Sequence, residues 1–450
     1  MKLFHKLLFF IIFASFAANA QKSKYVVMIS IDGFRPDFYR NDEWPTPNLK
    51  EMAAMGASAN GVRSVFPSVT YPSHTTIITG VLPVKHGIFH NTPFEPTGQT
   101  GRWNWDSKLI KAETIWDAAR KKGLKTASVH WPVTLGATSI DYNVPETFRD
   151  DKGPDPIIQM RQMTTPKGLF EEIELNATGK LTGKNMNSDF LAMDENISRM
   201  AAHIIENYKP NLITVHMFNV DHFEHKEGRS GSGVSKAVAN VDNAIGRIVE
   251  ATERAGIKDS TTFLIVGDHG FVDIHSQLAP NVWLVKAGLM EKRKDRGNWK
   301  ATFLQQGGMA FLYLKDKNDE QTFKQVQGIL QNQPESVKKM FKVIPQKELA
   351  AIGADPEAKL AITGVQGFTF TDSFEEPFLK PVKGGTHGFF PDFFEIQTGF
   401  IAYGAGIRPK TTIPVMGLED ITPLVLQLLN LQINNLDGSL YPGLLKTSDK

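Results

Sequence analysis

The chain has no cysteine among its 450 residues, so disulfide bonds and thiolate metal sites are both excluded. A lipid on an N-terminal cysteine is excluded for the same reason. A core of the size that this length allows does not need disulfide staples. An excess of one charge is also missing, because 50 basic and 48 acidic residues leave a formal net charge of +2. The overall charge therefore does not indicate nucleic acid as a partner.

Long apolar runs are missing after the first twenty residues. Residues 1–20 combine a basic start (MKLFHK), the apolar run LLFFIIFASFAA and the small-residue ending ANA. The run is too short to cross a bilayer, and the ending is typical of a cleavage site. We expect residues 1–20 to be a removed signal peptide, with an uncleaved membrane anchor as the alternative. The mature chain would then be exported, periplasmic or secreted, with no stable membrane span.

Short β-rich apolar runs alternate with amphipathic helical patterns along the rest of the chain. The predicted strands are 25–30, 126–131, 212–218, 262–267 and 400–404, and the predicted helices are 46–56, 112–123 and 237–256. The first helix has Thr46 as its expected cap and Pro47 at its first position. This alternation predicts an α/β fold with a mainly parallel central sheet and helices on both faces.

One stretch differs in character from this alternation. Residues 290–385 are more charged and contain shorter strand patterns, such as MAFLYL and AITGVQGFTF. We expect them to form a smaller α+β insertion within a single domain that covers residues 21–450.

Three of the predicted strands have an aspartate at their carboxyl end. These residues are Asp32, Asp221 and Asp268. An aspartate after a strand often caps the next helix, and for any one of them that interpretation is favoured. In a parallel sheet, however, the carboxyl ends of the strands share the edge where ligands bind. We therefore expect the three carboxylates to lie close together.

Three histidines accompany these carboxylates. His225 lies four residues after Asp221, His269 follows Asp268, and His387 lies in the glycine-rich segment GGTHGF. A lone histidine is more often structural, but carboxylates with imidazoles suit a borderline divalent metal such as zinc. Six ligands would form two sites of three, each with an open position. Two Zn²⁺ ions with three carboxylates leave a net charge of about +1, which favours an anion, and paired metals suit displacement at phosphorus.

Thr70 opens a helical pattern within FPSVTYPSHTTIITG, residues 66–80, with Pro72 in the first turn. Taken alone, Thr70 would be interpreted as a helix cap. Next to metal ligands it is better interpreted as a nucleophile, because coordination can convert its hydroxyl into an alkoxide. The N-terminus of a helix would also attract a phosphate group.

Several segments carry a resemblance to a known family. ISIDGFRPDF, TPNLKEMAAMGA, FPSVTYPSHTTIITGVLPVKHGIFHN, VDHFEHKEG, VGDHGF and GGTHGF occur in the order seen in that family. Over about residues 24–405 the chain resembles the ectonucleotide pyrophosphatase/phosphodiesterases of the alkaline phosphatase superfamily. The resemblance implies an alkaline phosphatase-like fold and a two-zinc centre.

The resemblance also implies a role for individual residues. It assigns one zinc to Asp32, Thr70, Asp268 and His269, and the second to Asp221, His225 and His387. Thr70 would attack phosphorus and form a phospho-enzyme that water cleaves. Asn91 would hydrogen-bond a non-bridging phosphate oxygen, with a turn residue as the alternative. Tyr71 would stack on a nucleobase, with a packed aromatic as an equal alternative.

Two positions depart from the family pattern. Val69 precedes the nucleophile where lysine or a small polar residue is frequent, and Glu224 replaces the usual glycine of the Asp-x-x-Gly-His motif. Neither change removes a ligand, but both bear on the substrate pocket.

The favoured function is hydrolysis of a small-molecule phosphodiester or nucleotide pyrophosphate, without binding of nucleic-acid polymers. A phosphomonoesterase or a lipid head-group phosphodiesterase is the first alternative. The region 125–145 offers only Lys125 to neutralise a dianion, which favours the diester. An exported binding protein without turnover is the second alternative, and a sulfatase is disfavoured because its C/S-x-P-x-R signature is missing.

Overall fold

The computed structural model describes residues 23–96, 101–147, 156–187, 190–291 and 298–446. The predicted signal peptide, residues 1–20, lies outside these ranges, as does most of the charged run 291–300. Within the ranges described, no helix combines the length and the apolarity that crossing a membrane requires.

The β-strands are short, and most of them are buried. In chain order they are β1 Tyr25–Ile31, β2 Ala57–Ala59, β3 Val62–Arg63, β4 Thr126–Val129, β5 Tyr142–Val144, β6 Leu212–Met217, β7 Thr261–Gly267, β8 Val272–Leu278, β9 Ala301–Gln305, β10 Met309–Leu314, β11 Phe341–Pro345, β12 Leu360–Gly364, β13 Gly367–Phe370, β14 Leu379–Pro381, β15 Gly385–Thr386, β16 Phe400–Gly404, β17 Thr411–Ile413 and β18 Met416–Gly417.

The α-helices range from single turns to more than twenty residues. They are α1 Asp37–Arg40, α2 Pro47–Met55, α3 Thr70–Thr79, α4 Pro83–His86, α5 Ile115–Lys121, α6 Pro156–Met163, α7 Leu169–Ile173, α8 Gly183–Asn187, α9 Phe190–Tyr208, α10 Asn219–Glu227, α11 Ser232–Arg254, α12 Asn281–Lys286, α13 Glu320–Gln331, α14 Glu335–Lys338, α15 Gln346–Ala351 and α16 Ile421–Leu429.

The central sheet has eight strands in the order β17-β2-β16-β7-β1-β6-β4-β5. The strands β7, β1, β6, β4 and β5 run parallel to one another, and β16 is antiparallel to β7 and β2. The five predicted strands are all present in this sheet, and the expectation of a mainly parallel arrangement is confirmed. The carboxyl ends of β7, β1 and β6 are therefore adjacent at one edge.

Helices cover both faces of this sheet, and the alternation of side chains along β1 shows why. Val27 and Ile29 of β1 belong to one buried apolar cluster, which includes residues of α9 and α11. Val26 and Met28 belong to a second cluster, which includes residues of α3, α5 and α16. Because neighbouring residues on a strand point to opposite faces, a continuous apolar run such as YVVMISI requires cover on both sides.

The predicted stretch 290–385 contains a separate antiparallel sheet in the order β11-β12-β10-β9. This sheet packs with α13 on an apolar cluster of its own that includes Phe303, Leu312, Val326 and Ile362. By contrast, β13 and β14 pair with β8, which precedes the stretch in sequence. The assignment of 290–385 as an insertion within one domain stays a prediction, with β8 linking its last strands to the preceding chain.

The start of α2 corrects the expected role of Thr46. The Thr46 side chain does not cap the helix, because its hydroxyl donates to the Phe38 carbonyl at 2.6 Å. The carboxylate of Asp242 on α11 takes that place. It accepts from the backbone N–H groups of Asn48 at 3.1 Å and Leu49 at 2.9 Å. A carboxylate from a distant helix therefore satisfies the free donors of α2 and ties the two helices together.

We predict that Asp242→Ala lowers the free energy of unfolding by about 2 kcal/mol, since buried N–H groups lose a charged acceptor. Alanine favours a helix more than aspartate does, so the gain in helix propensity offsets part of this loss of stability. Chemical denaturation gives the measurement, with Asn243→Ala at the neighbouring exposed position as the matched control. Equal stability of the two variants would contradict this account of α2.

Candidate active site

Three carboxylates meet where the central strands end. Asp32 follows β1, Asp268 follows β7, and Asp221 lies in the first turn of α10, directly after β6. The Nε2 atom of His269 lies 3.2 Å from Asp32 Oδ1 and 3.2 Å from Asp268 Oδ2. The expected convergence at this sheet edge is therefore present in the structure.

The remaining predicted histidines surround Asp221. His225 Nε2 lies 3.4 Å from Asp221 Oδ1, and His387 Nε2 lies 3.6 Å from the same oxygen. The rings of His269 and His387 stack with their centroids 3.6 Å apart. Two groups of donors, one around Asp32 and one around Asp221, are thus in direct contact with each other.

All three histidines turn the same nitrogen toward this centre. The Nδ1 atoms lie at hydrogen-bond distance from backbone carbonyls: 3.1 Å from Gly385 for His225, 3.2 Å from Gly270 for His269 and 2.9 Å from Ser68 for His387. A neutral imidazole that donates from Nδ1 keeps a lone pair on Nε2, as a metal ligand must. The backbone therefore orients all three rings for ligation.

Several buried atoms of the site have no hydrogen-bond partner. These atoms are Asp32 Oδ1, Asp221 Oδ1, Asp268 Oδ2 and His269 Nε2. Leaving such groups unsatisfied costs about 1–3 kcal/mol each, and more when the group is charged. Lone pairs that face one another in a buried space fit divalent cations, and carboxylate with imidazole is a donor set that zinc accepts. The residues present therefore fit a metal centre.

The electrostatics of the protein alone agree with this fit. Burial raises the pKa of Asp221 to about 7. Burial and the nearby charge of Asp32 raise the pKa of Asp268 well above its usual range. Burial also lowers the pKa of His387 well below its usual range, so this imidazole is held neutral. Bound cations would oppose the shifts of both carboxylates, because they stabilise the ionised form.

Thr70 borders the same centre. It is the first residue of α3, and Val69 before it provides no side-chain cap. A cavity of about 220 Å³ is lined by Thr70 together with Asp32, Asp221 and His225. The structure therefore places the hydroxyl next to the proposed ligands at a helix N-terminus and gives no support to the cap alternative.

The Asn91 side chain satisfies a backbone N–H group at the start of α3. Its Oδ1 atom accepts from the backbone N–H of Tyr71, in the first turn of α3, at 2.8 Å. Because the oxygen of the amide is engaged in this way, its NH₂ group is left to donate elsewhere, and Asn91 lines the cavity. This geometry allows Asn91 both to cap α3 and to donate to a bound anion.

Tyr71 is buried, although it contributes to the lining of the cavity. Its side chain has no exposed surface, its ring packs against Trp103 with centroids 5.4 Å apart, and its hydroxyl donates to Glu146 at 3.3 Å. This favours the packing alternative for Tyr71. The partly exposed Trp103 provides an aromatic wall of the cavity, and no motif in the sequence identifies it.

The chain is similar to known proteins in both sequence and fold. The sequence model of the family described as type I phosphodiesterase / nucleotide pyrophosphatase matches residues 26–390. The chain belongs to this family.

Among curated phosphodiesterase relatives, ectonucleotide pyrophosphatase/phosphodiesterase family member 3 of Mus musculus is 22% identical over 443 residues, covering 94% of this chain and 44% of the relative. Venom phosphodiesterase 2 of Crotalus adamanteus is 22% identical over 427 residues, covering 90% and 45% respectively. The chain thus spans less than half the length of these relatives.

Solved structures of the phosphodiesterase family share the fold. Human ectonucleotide pyrophosphatase/phosphodiesterase 5 superposes with a TM-score of 0.68 at 19% identity, covering 94% of this chain and 100% of that chain. An inactive threonine-to-alanine variant of the murine protein, in complex with AMP, gives 0.69 at 20% identity with the same coverage. The expected alkaline phosphatase-like fold is confirmed.

At this candidate active site, Glu224 makes a contact that the sequence did not predict. It lies on α10 between Asp221 and His225, and its Oε1 atom is 3.2 Å from Arg35 Nε, with both side chains buried. The Arg35 guanidinium also pairs with Asp37 at 3.0 Å. The pair therefore links the helix that carries two proposed ligands to the segment that follows Asp32. The glutamate in place of the usual glycine was visible in the sequence, but its partner was not.

We predict that Glu224→Ala lowers the free energy of unfolding by about 3 kcal/mol or more, because Arg35 is left buried with its charge partly unpaired. Replacing both residues by methionine restores part of the loss, since no buried charge then remains at this position. Denaturation of both variants beside Lys226→Ala, an exposed change on the same helix, provides the measurement. A Glu224→Ala protein as stable as Lys226→Ala would show that the ion pair does not brace α10.

Proposed function

We propose that this protein is a two-zinc phosphodiesterase and nucleotide pyrophosphatase that acts through a phospho-threonine intermediate on Thr70. The observation that carries the proposal is the convergence of six donor side chains beside the cavity that Thr70 borders. Membership of the type I phosphodiesterase / nucleotide pyrophosphatase family supports the same chemistry.

The proposed zinc ligands divide into two sets, as the resemblance to the family implies. One zinc would be held by Asp32, Thr70, Asp268 and His269, and the other by Asp221, His225 and His387. When bound, the two ions would lower the pKa of the Thr70 hydroxyl and neutralise charge that develops on the phosphate oxygens.

The residues of the chain supply the other parts of the reaction. The Thr70 oxygen forms a bond to phosphorus while the bond to the leaving oxygen breaks, and water then cleaves the threonine ester to return the hydroxyl. The NH₂ group of Asn91 donates to a non-bridging oxygen, and the anion lies at the positive end of the α3 dipole. Tyr71 fixes Asn91 through its backbone N–H.

The lining of the cavity favours a diester over a monoester. No lysine or arginine is among the described residues that line it. A monoester dianion would call for such additional cations, whereas a diester carries one negative charge. Trp103 and Phe218 line the cavity as well and offer aromatic surface to an organic group. The murine relative was solved in complex with AMP, which supports a nucleotide as the class of substrate.

We further propose that the protein is exported after removal of residues 1–20 and acts in the periplasm or outside the cell. The signal-like N-terminus of the sequence supports this proposal. Several of its relatives carry names of ecto-enzymes and venom proteins, which agrees with export.

We predict that Thr70→Ala lowers kcat on bis(p-nitrophenyl) phosphate by about 10³-fold or more, because the attacking atom is lost. Thr70→Ser, which keeps a hydroxyl, is the matched control and retains measurable turnover. Rapid acid quenching of the wild-type reaction followed by mass spectrometry should find phosphate on the peptide with Thr70. Full activity of Thr70→Ala would reject the nucleophile assignment.

We predict that the zinc-loaded enzyme has a higher kcat/KM for bis(p-nitrophenyl) phosphate than for p-nitrophenyl phosphate, since the cavity lacks cations for a dianion. Nucleoside triphosphates, dinucleotides and glycerophosphodiesters, assayed side by side, identify the leaving group that is preferred. A preference for the monoester would replace the phosphodiesterase proposal by phosphomonoesterase. No hydrolysis of any of these would favour a binding protein.

A further inference from the structure

A second group of potential metal ligands lies next to the proposed zinc pair. It consists of His130, Glu146 and His216, which we call the HEH cluster. His130 follows β4, Glu146 follows β5, and His216 lies near the end of β6. Since β6, β4 and β5 are parallel neighbours in the central sheet, the cluster occupies the next position along the edge that carries Asp32 and Asp221.

The three side chains are buried and close together. Their exposed fractions are 0% for His130, 3% for Glu146 and 1% for His216. One donor atom from each lies within 4.8 Å of the other two. His216 Nδ1 is 3.8 Å from Glu146 Oε2, and this separation leaves room for a shared cation better than for a direct hydrogen bond.

Glu146 Oε2 has no hydrogen-bond partner, and neither has His216 Nε2, which lies on the side of its ring that faces Asp32. The other oxygen of Glu146 accepts from the Tyr71 hydroxyl at 3.3 Å. A carboxylate is rarely buried unless it is paired with a cation or coordinates a metal. The unpartnered oxygen of Glu146 is therefore an independent sign that a positive charge belongs here.

The surroundings of His216 point the same way. Its Nδ1 atom faces the His130 carbonyl at 3.3 Å as well as Glu146, and its Nε2 atom lies 3.4 Å from Asp32 Oδ2. A neutral imidazole carries a single N–H, so one of its nitrogens must face acceptors with a lone pair. A cation on one side of the ring would satisfy that nitrogen and leave the other to donate.

The backbone of His130 is held in an uncommon conformation. Its φ angle is +60°, in the left-handed region that residues with a side chain seldom adopt. Such strain persists where the surrounding structure fixes it, and it clusters at functional sites.

We propose that the HEH cluster is a third metal site, which binds a divalent transition-metal ion such as Zn²⁺ through His130, Glu146 and His216. Two imidazoles with one carboxylate form a donor set that zinc uses in catalytic sites, with a further position open. Glu146 and His216 line the cavity beside Thr70, so the ion has a route from solvent. The proposed function assigns no ligand role to any of these three residues.

A third ion would be coupled to the proposed zinc pair through His216. With the ion on Nδ1, the proton of His216 would lie on Nε2, which faces Asp32 Oδ2 at 3.4 Å, while Asp32 Oδ1 faces His269. A carboxylate that receives the second N–H of a ligating histidine is the usual support of such ligands. The HEH cluster would therefore orient Asp32 as well as hold its own ion.

The test is the number of ions bound by the untagged full-length protein, stripped with chelator, reloaded with Zn²⁺ and passed through a desalting column. Inductively coupled plasma mass spectrometry on the wild type should find three equivalents per chain. Glu146→Gln and His130→Gln should each lose one equivalent and retain two. Asp268→Asn, in the proposed zinc pair, is the matched control for loss of a different ion.

The outcomes separate this proposal from the proposed function. Two equivalents in the wild type and in Glu146→Gln would overturn the third site and leave the zinc pair intact, with His216 then carrying protons on both nitrogens. Three equivalents in both Glu146 and His130 variants would also overturn it, since the ion would lie elsewhere. One equivalent or none in the wild type would overturn both proposals. Circular dichroism shows whether each variant is folded. A rise in the melting temperature of the wild type when the third equivalent of Zn²⁺ is added gives a second readout.

Discussion

The repulsion between buried carboxylates is the constraint around which this protein is organised. Asp32, Asp221 and Asp268 lie at one sheet edge, the first and last buried and Asp221 partly exposed, and each has an oxygen that no hydrogen bond satisfies. In a medium of low dielectric constant, such charges coexist only where positive charge is placed among them. Two features of the structure suit the binding of cations at this edge. Backbone carbonyls orient the rings of His225, His269 and His387, and the ion pair between Arg35 and Glu224 holds α10 in place.

The topology of the central sheet brings these residues together, although no local sequence pattern connects them. Parallel strands deliver whatever follows them to a common edge, so residues separated by more than two hundred positions meet without any motif that spans the distance. The same rule places the HEH cluster one strand further along, where His216 touches Asp32. The two groups of polar residues thus form one continuous stripe across the ends of the strands from β7 to β5.

Sequence patterns predicted the frame better than they predicted the contacts. The five strands, the helical cover and the meeting of Asp32, Asp221 and Asp268 follow from buried apolar runs and from the geometry of parallel sheets. The capping of α2 was predicted wrongly, because the acceptor is Asp242, far away in sequence and invisible to a local pattern. The ion pair between Arg35 and Glu224 was not predicted for the same reason, because a contact between residues far apart in sequence leaves no periodic pattern. His130 and His216 could have been predicted as residues of the site, because both lie at strand ends. Glu146 could not, because it follows a strand of only three residues that no apolar run in the sequence indicated.

The position of His387 in the chain has a consequence for how the molecule matures. This residue follows β15, which pairs with β8. Residues 301–364, which form the antiparallel sheet, lie between these two strands in sequence and are therefore synthesised before β15. A growing polypeptide therefore lacks one of the six proposed donor side chains until residue 387 has been synthesised. A product truncated before residue 387 would lack a proposed ligand even if the strands that precede it had paired.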